Sequence, residues 1–153
     1  MVTPSLLKLA TEAAYREHFE KKYCRGGICT HDGIRVYFKK EDFDHAFFES
    51  PLRNGVKSTT LSHIRAERMD WIAATLANPA ADLFQGWNKK EGCYDASRCV
   101  CIVFGNFVVV IRLSKNTQGT LKANFVTCYE ADNSITKIRQ SPLWNKNDCL
   151  NAL

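Results

Sequence analysis

The stretch CVCIVFGNFVVVIRLS, residues Cys99 to Ser114, contains two β-branched runs separated by Gly105-Asn106. Valine and isoleucine favour an extended chain, and Gly-Asn tolerates the positive φ angles of a two-residue hairpin turn. The stretch therefore predicts two antiparallel strands that turn at Gly105 and Asn106, with Phe104 and Phe107 flanking the turn.

Downstream of this hairpin, LKANFVTCYEAD, residues 121–132, predicts a third antiparallel strand. Regular alternation would place Phe125, Thr127 and Tyr129 on one face, and Asn124, Val126, Cys128 and Glu130 on the other. The tail SITKIRQSPLW, residues 134–144, is short and partly apolar, and we expect it to dock as a final strand or turn.

Upstream of the hairpin the chain is mainly helical in pattern. Helices are predicted over Ser5–Tyr23, over EDFDHAFFES (residues 41–50) and over TTLSHIRAERMDWIAATLANP (residues 59–79), with a short strand at Ile34–Phe38, a polar loop at PLRNGVKS (residues 51–58) and an irregular stretch from Ala80 to Arg98. Helices that precede an antiparallel sheet indicate an α+β fold in which the helices pack on one face of the sheet. The length of 153 residues is most simply one domain, residues 1–153.

The composition is that of an ordinary globular protein with a formal charge of +5 and a pI near 8.8. A basic surface favours polyanionic partners such as RNA, DNA or an acidic protein. The sequence shows neither a secretory signal nor a transmembrane span, so we expect a cytoplasmic protein with no membrane partner. Its seven cysteines are expected to be reduced, because they are odd in number and lack export features.

Two arginines stand in an unexpected place on the third predicted helix. Its expected inner sector contains Leu61, Ile64, Ile72, Thr75 and Leu76, with Ser58 or Thr59 as N-cap and Asn78-Pro79 as the stop. Arg65 and Arg68 fall in the middle of that sector. A guanidinium there either pairs with an acid such as Glu130 or Asp132, or snorkels to the edge, or clamps phosphate. Arg112, Lys137 and Arg139 could add to such a phosphate-binding cleft.

Three further side chains are candidates for chemistry. Thr127 and Tyr129 stand two residues apart on the third strand and can point into one cleft, although both residue types are also simply good strand formers. His45 lies between Phe43 and Phe47, offset from their face, where it is either a surface residue or a base.

Motifs for nucleotide, metal and serine-hydrolase chemistry are missing from the sequence, including Walker, GxGxxG, GxSxG and HExxH patterns. Cys24, Cys29 and His31 lie close together, but no second ligand pair has suitable spacing for zinc. We therefore expect neither a cofactor nor a metal. A phosphodiester-cleaving enzyme of this kind would use attack of a ribose 2′-hydroxyl on the adjacent phosphate.

The order of five segments resembles the phage-associated branch of the barnase/EndoU/colicin/RelE-like ribonuclease superfamily. These segments are VYFKKEDFDHAF, RAERMDWIAATLANP, FVVVIRL, NFVTCYEAD and KIRQSPLW, which together span Arg35 to Trp144. The resemblance implies N-terminal helices packed on an antiparallel sheet of about four strands, with an active cleft on the exposed sheet face. It also implies RNA cleavage without metal, often of tRNA, and neutralisation by an immunity protein or antitoxin.

By matched position, the resemblance assigns catalytic roles to His45, Arg65, Thr127 and Tyr129. Arg68, Arg112, Lys137 and Arg139 are the expected substrate-binding cations. Two functions follow as alternatives. One is an RNA-cleaving toxin domain or prophage effector, and the other is a non-catalytic prophage module that binds nucleic acid or a protein partner. Only the first requires a base, an acid and a cation in one cleft.

Overall fold

A computed structural model describes residues 3–49 and 60–153 of the chain. The elements follow in the order α1 (Glu12–Lys22), β1 (Arg35–Tyr37), α2 (Asp42–Ala46), α3 (His63–Glu67), α4 (Met69–Ala77), β2 (Asp82–Asn88), β3 (Cys93–Phe104), β4 (Phe107–Lys115), β5 (Leu121–Glu130), α5 (Ile135–Arg139) and α6 (Lys146–Ala152). The predicted polar loop at residues 51–58 lies outside the described residues.

The strands form one mixed sheet in the order β1-β5-β4-β3-β2. The pairs among β2, β3, β4 and β5 are antiparallel, whereas β1 runs parallel to β5. An isolated bridge between Phe84 and Leu143 extends the sheet beyond β2. The predicted α+β class is confirmed, but the expectation of about four purely antiparallel strands is wrong, because the short strand β1 adds a parallel edge and Asp82–Asn88 adds another strand.

The hairpin at Gly105-Asn106 is confirmed: β3 ends at Phe104, β4 begins at Phe107, and Gly105 has a φ of 61°. The irregular stretch predicted from Ala80 to Arg98 is wrong, since it contains β2 and the first part of β3. These residues include few β-branched side chains, so their extended form depends on pairing with a neighbouring strand. The first part of the tail forms helix α5, which was not predicted, whereas Leu143 pairs beside β2, in agreement with the predicted final strand or turn.

One face of the sheet carries the main core, beneath α1 to α4. The ring of Phe19 lies at the centre of this core, and its exposed fraction is 0%. Its nearest aromatic neighbours are Phe47 and Tyr23, with ring centroids at 5.5 Å and 5.7 Å. Such ring pairs contribute about 0.5–1.5 kcal/mol each beyond their buried area, which fixes the helices against the strands.

The opposite face carries a smaller apolar cluster under α5. Ile135 and Ile138 pack there against Phe84, Val103 and Val108. The expectation of helices on one face only is therefore wrong. Helix α5 covers the end of the sheet near the Gly105-Asn106 turn, and no described residue covers the remainder of this face. We call this uncovered part the open face.

The arginine-bearing segment consists of two helices rather than the single predicted one. Helix α3 ends at Glu67 and α4 begins at Met69, with Arg68 between them at φ −100° and ψ 16°. This break changes the direction of the helical faces, so Ile64, predicted to be inward, is 58% exposed. Ser62 caps α3 through the Arg65 amide, whereas the predicted caps Ser58 and Thr59 lie outside the described residues. The predicted stop at Asn78 is confirmed.

Helix α1 begins at Glu12, not at the predicted Ser5. The Thr11 hydroxyl accepts a hydrogen bond from the Ala14 amide at 3.1 Å, which caps the first turn. The preceding segment is held in a different way, because the Tyr15 hydroxyl donates to the Leu7 carbonyl at 2.8 Å. The contact of Leu7 with Tyr15 and the cap at Thr11 explain why α1 begins later than predicted.

All seven cysteines fall in the described ranges and carry free thiols. Within residues 3–49 and 60–153 there is no helix of the length and apolar character needed to cross a bilayer.

A close approach between β2 and β3 generates a prediction about stability. A β-carbon on Gly86 would lie 2.5 Å from Cys99 Cβ and 3.3 Å from the Cys99 carbonyl. Gly86→Ala is therefore expected to lower the free energy of unfolding by about 1–3 kcal/mol, as overpacking typically does. Chemical denaturation measures this change, and adding Cys99→Gly should recover part of it. A Gly86→Ala protein within about 0.5 kcal/mol of the parent would contradict this close packing.

Candidate functional site

A β-bulge in β5 decides which side chains reach the open face. Val110 of β4 pairs with Thr127, but the next residue, Ile111, pairs with Phe125, so Val126 is an extra residue in β5. Phe125 is buried in the main core, where it stacks on Phe38 at 4.9 Å. Thr127 and Tyr129 therefore point away from Phe125, and the expectation that all three share one face is wrong. Thr127 and Tyr129 do share a face.

The bulge lies at an exposed edge of the sheet. The pairing of β1 with β5 ends at Tyr37 and Asn124, so the next part of β5 borders α2 and α3 instead of a strand. A groove of about 640 Å³ opens along this edge. It is lined by Asp42 and His45 of α2, Arg65 of α3, Arg112 of β4, and Phe125, Val126, Thr127 and Tyr129 of β5. The four expected catalytic residues thus line one groove, together with one of the four expected substrate-binding cations.

Arg65 reaches the groove as a cation that has no acidic partner among the described residues. Its Nη1 donates to the Ala46 carbonyl at 3.1 Å, which ties the side chain to the end of α2. In the described part of the chain no carboxylate lies within 4 Å of its charged group. One N–H is thus used for positioning, and the rest of the guanidinium fork can bind an anion.

Arg68, which we expected to bind substrate, does not line the groove. Its Nε lies 2.7 Å from Glu130 Oε2, and the exposed fractions of the two side chains are 20% and 30%. The pair is held by charge rather than by an aligned hydrogen bond, because neither atom has a partner of suitable geometry. Arg68 Nη1 also donates to the Ile64 carbonyl at 2.9 Å, and its guanidinium lies over the Trp71 ring. Arg68 therefore joins α3 to the end of β5.

The other two expected cations also lie outside the groove. Arg139 donates to Asp82 Oδ2 at 3.0 Å and to the Gly105 carbonyl at 2.9 Å, so it links α5 to β2 and to the hairpin turn. Lys137 is exposed and lines a neighbouring depression on the open face. Their positions follow from helix α5, which the sequence did not predict.

Asp42 is a groove residue that the sequence reasoning missed. It stands three residues before His45, so both side chains project from the same side of α2. Its Oδ2 accepts the Lys39 amide hydrogen at 2.8 Å, which holds the carboxylate in place. Burial raises the pKa of Asp42, while the Lys39 amide and the charge of His45 oppose that rise. The Asp-x-x-His spacing was the available signal, and Asp42 is the group that can orient or stabilise a protonated His45.

Tyr129 is held in its neutral form. Burial raises its pKa to about 12, the nearby Cys101 thiol adds to the rise, and the positive charge of Arg65 opposes it. A phenol with such a pKa is a hydrogen-bond donor at neutral pH and not a base. His45, by contrast, is solvent-exposed at the rim of the groove.

The groove combines five kinds of polar group around one opening. It contains an imidazole beside a carboxylate, two guanidinium groups, a hydroxyl and a neutral phenol. Among the described residues, no group of three or more histidine, cysteine, aspartate or glutamate side chains forms a potential metal site. The groups present suit a substrate that carries a phosphodiester, because they supply positive charge together with proton donors and acceptors.

Comparison with protein-family models, with curated proteins and with solved structures gave no match to this chain. The assignment of a function therefore depends on the groove and on the residues around it.

Proposed function

We propose that the protein is an endoribonuclease that cleaves RNA by attack of a 2′-hydroxyl on the adjacent phosphate. The observation that carries this proposal is the groove at the edge of β5. It brings His45, Arg65, Thr127 and Tyr129 together, and adds Arg112. A cation pair with a potential base and a potential acid is the set of groups that such a reaction requires.

In the proposed reaction, His45 accepts the proton of the 2′-hydroxyl while the 2′-oxygen forms a bond to phosphorus. Asp42 stabilises the resulting imidazolium. Arg65 and Arg112 neutralise the negative charge of the phosphorane, and the Thr127 hydroxyl orients a phosphate oxygen. The bond from phosphorus to the 5′-oxygen then breaks, and Tyr129 donates its proton to that oxygen. The products are a 2′,3′-cyclic phosphate and a 5′-hydroxyl end.

The raised pKa of Tyr129 is consistent with a donor role. The phenol keeps its proton until negative charge develops on the 5′-oxygen as the bond to phosphorus breaks. Arg65 is close enough to oppose this rise and would therefore stabilise the phenolate after transfer. Arg65 would thus stabilise the negative charge of both the phosphorane and the Tyr129 phenolate.

The resemblance of the five segments to toxin ribonucleases extends the proposal to targets and partners. It favours tRNA among the possible substrates and an inhibitor, either an immunity protein or an antitoxin, as partner. Such an inhibitor would present acidic side chains to Arg65 and Arg112 if it covers the groove by charge complementarity.

Removing the two hydroxyl groups of β5 tests the chemistry. Thr127→Val and Tyr129→Phe preserve the size and strand preference of the side chains, so the fold should persist. Each is expected to lower RNA cleavage by about 10²-fold or more, because a contact to the transition state is lost. Cleavage is measured in EDTA, with mapping of the product ends, and a substrate with a 2′-deoxyribose at the cut site should resist.

Tyr37→Phe is the matched control for these variants, since Tyr37 lies on β1 outside the groove and is 43% exposed. It should cleave at the parental rate. If Thr127→Val and Tyr129→Phe both cleave as well as this control, or if the parent protein cleaves no RNA, then the non-catalytic binding module replaces the enzyme.

The two arginines of the α3–α4 segment give a second test. Arg65→Ala should remove a phosphate contact and lower cleavage by about 10²-fold or more, with a small effect on melting. Arg68→Ala should instead lower the free energy of unfolding by about 1–3 kcal/mol, because it leaves Glu130 without its partner. Folded Arg68→Ala protein should retain most of the cleavage. The opposite assignment of the two effects would show that Arg68 is the phosphate ligand.

The pKa of Tyr129 generates a third test. Because burial raises it to about 12, the phenol is protonated in the free protein at neutral pH, and we expect a bound phosphate, being negatively charged, to keep it protonated. The ratio of parental to Tyr129→Phe cleavage rates should therefore stay constant from about pH 6 to about pH 9. Ionisation would reduce this ratio only as the pH approaches 12. A ratio that falls between pH 7 and 9 would mean that Tyr129 titrates in this range and that its environment differs from the one described.

A further inference from the structure

The open face continues from the groove into two further depressions. One, of about 440 Å³, is lined by Trp87, Lys89, Lys90, Cys99 and Arg112 among others. The other, of about 290 Å³, is lined by Trp87, Tyr94, Cys101, Tyr129 and Lys137 among others. Arg112 belongs to the first depression and to the groove, while Tyr129 belongs to the second depression and to the groove. A bound chain could therefore pass from the groove across the sheet without leaving the surface.

Trp87 lines both depressions, and it is the most exposed of the apolar side chains that they share. Its exposed fraction is 55%, whereas Trp144 is 8% exposed and the Trp71 indole N–H is engaged by the Pro4 carbonyl at 2.8 Å. Tryptophan is enriched at binding interfaces, because its ring offers apolar contact area and its N–H a hydrogen bond.

Trp87 is held in a defined orientation. Tyr94 meets it edge to face, with ring centroids 5.1 Å apart and an angle of 81° between the planes. The residue before it, Gly86, packs directly on Cys99, so β2 is fixed against β3 at this point. Such a contact covers at most one face of the indole, so the opposite face stays available for stacking.

The charges around Trp87 favour a polyanion. Lys89 and Lys90 follow it in the turn between β2 and β3, and Arg112 and Lys137 line the same depressions. The nearby carboxylates are Glu91, which is exposed in the turn, and Asp95, which accepts from the Ser97 amide and hydroxyl at 2.8 Å and 2.6 Å. The side chains that line the two depressions thus include four cations and one carboxylate, Asp95, which is already hydrogen-bonded.

We propose that Trp87, buttressed by Tyr94, stacks on an unpaired base of single-stranded RNA that extends from the groove across the open face. The proposal rests on the ribonuclease function, since the groove provides the site for the scissile phosphate. Three strand spacings separate β5 from β2, which corresponds to roughly 14 Å. The stacked base therefore belongs to a nucleotide beyond the scissile bond. The phosphates of the strand on this side are neutralised by Lys89, Lys90, Arg112 and Lys137.

The proposal is tested by binding rather than by cleavage. A single-stranded DNA of roughly 12 nucleotides is a suitable probe, because it has phosphates and bases but no 2′-hydroxyl that could attack. Binding is followed by fluorescence anisotropy of the labelled strand. Trp87→Leu should weaken binding by roughly 5- to 100-fold, which corresponds to the loss of one base–aromatic stack. Trp87→Phe should retain most of the affinity, since it keeps an aromatic face.

Two controls separate stacking from other effects. Leu143→Ala removes another exposed apolar side chain, one that is 71% exposed and lies beyond β2, and it should bind like the parent. An otherwise identical strand without bases should bind more weakly to the parent, and Trp87→Leu should bind this strand as the parent does. Melting curves confirm that each variant is folded.

The outcomes distinguish this inference from the proposed function. If binding depends on Trp87 but the protein cleaves no RNA, the stacking site is supported and the proposed ribonuclease function is contradicted. Equal binding by the parent and Trp87→Leu would overturn the stacking site, even if RNA cleavage is efficient. The absence of any binding to single-stranded nucleic acid would also overturn it, and would direct attention to a protein partner for this surface.

Discussion

The extra residue in β5 is the constraint on which the site depends. Phe125 and Cys128 are both buried in the main core, although they stand three residues apart. In a regular strand, two residues with this separation point to opposite faces, so one of them would be exposed to the open side. Insertion of Val126 as a bulge allows both to face the core. The consequence is that Thr127 and Tyr129 emerge together on the other side, next to the free edge of β5.

The edge itself is a product of the short parallel strand β1. Since β1 pairs with β5 only as far as Asn124, the rest of this edge meets α2 and α3. Helix α2 contributes Asp42 and His45 to the groove, and helix α3 contributes Arg65. The other lining residues come from β4 and β5. The break at Arg68 then divides the arginines between two tasks. Arg68 pairs with Glu130 inside the structure, whereas Arg65 extends into the groove from the carbonyl of Ala46.

The open face has a division of its own. Helix α5 covers the end near the Gly105-Asn106 turn, and Arg139 fixes it there through Asp82 and the Gly105 carbonyl. Among the described residues, the part of this face that stays uncovered carries the aromatic rings of Tyr129, Tyr94 and Trp87 together with nearby cations. A surface of this kind matches the chemistry of a flexible nucleic-acid strand, which presents both charges and rings.

Elements with local signals could be predicted before the fold was known. The β-branched runs around Gly105-Asn106 were sufficient for β3, β4 and their turn, and the α+β order of the elements was visible in the periodicities. Arg65 was a candidate because a guanidinium is unusual in the inner sector of a helix, whereas His45, Thr127 and Tyr129 were candidates mainly through the resemblance to the ribonuclease superfamily. Tertiary structure decided the rest, because those features depend on partners that are distant in sequence. The strand β2 exists through pairing with β3, the bulge at Val126 satisfies two core positions at once, and the helix break at Arg68 accommodates an ion pair with Glu130 some sixty residues away. None of these contacts leaves a local pattern, which is why only the folded chain shows which arginine is structural and which one is free to bind.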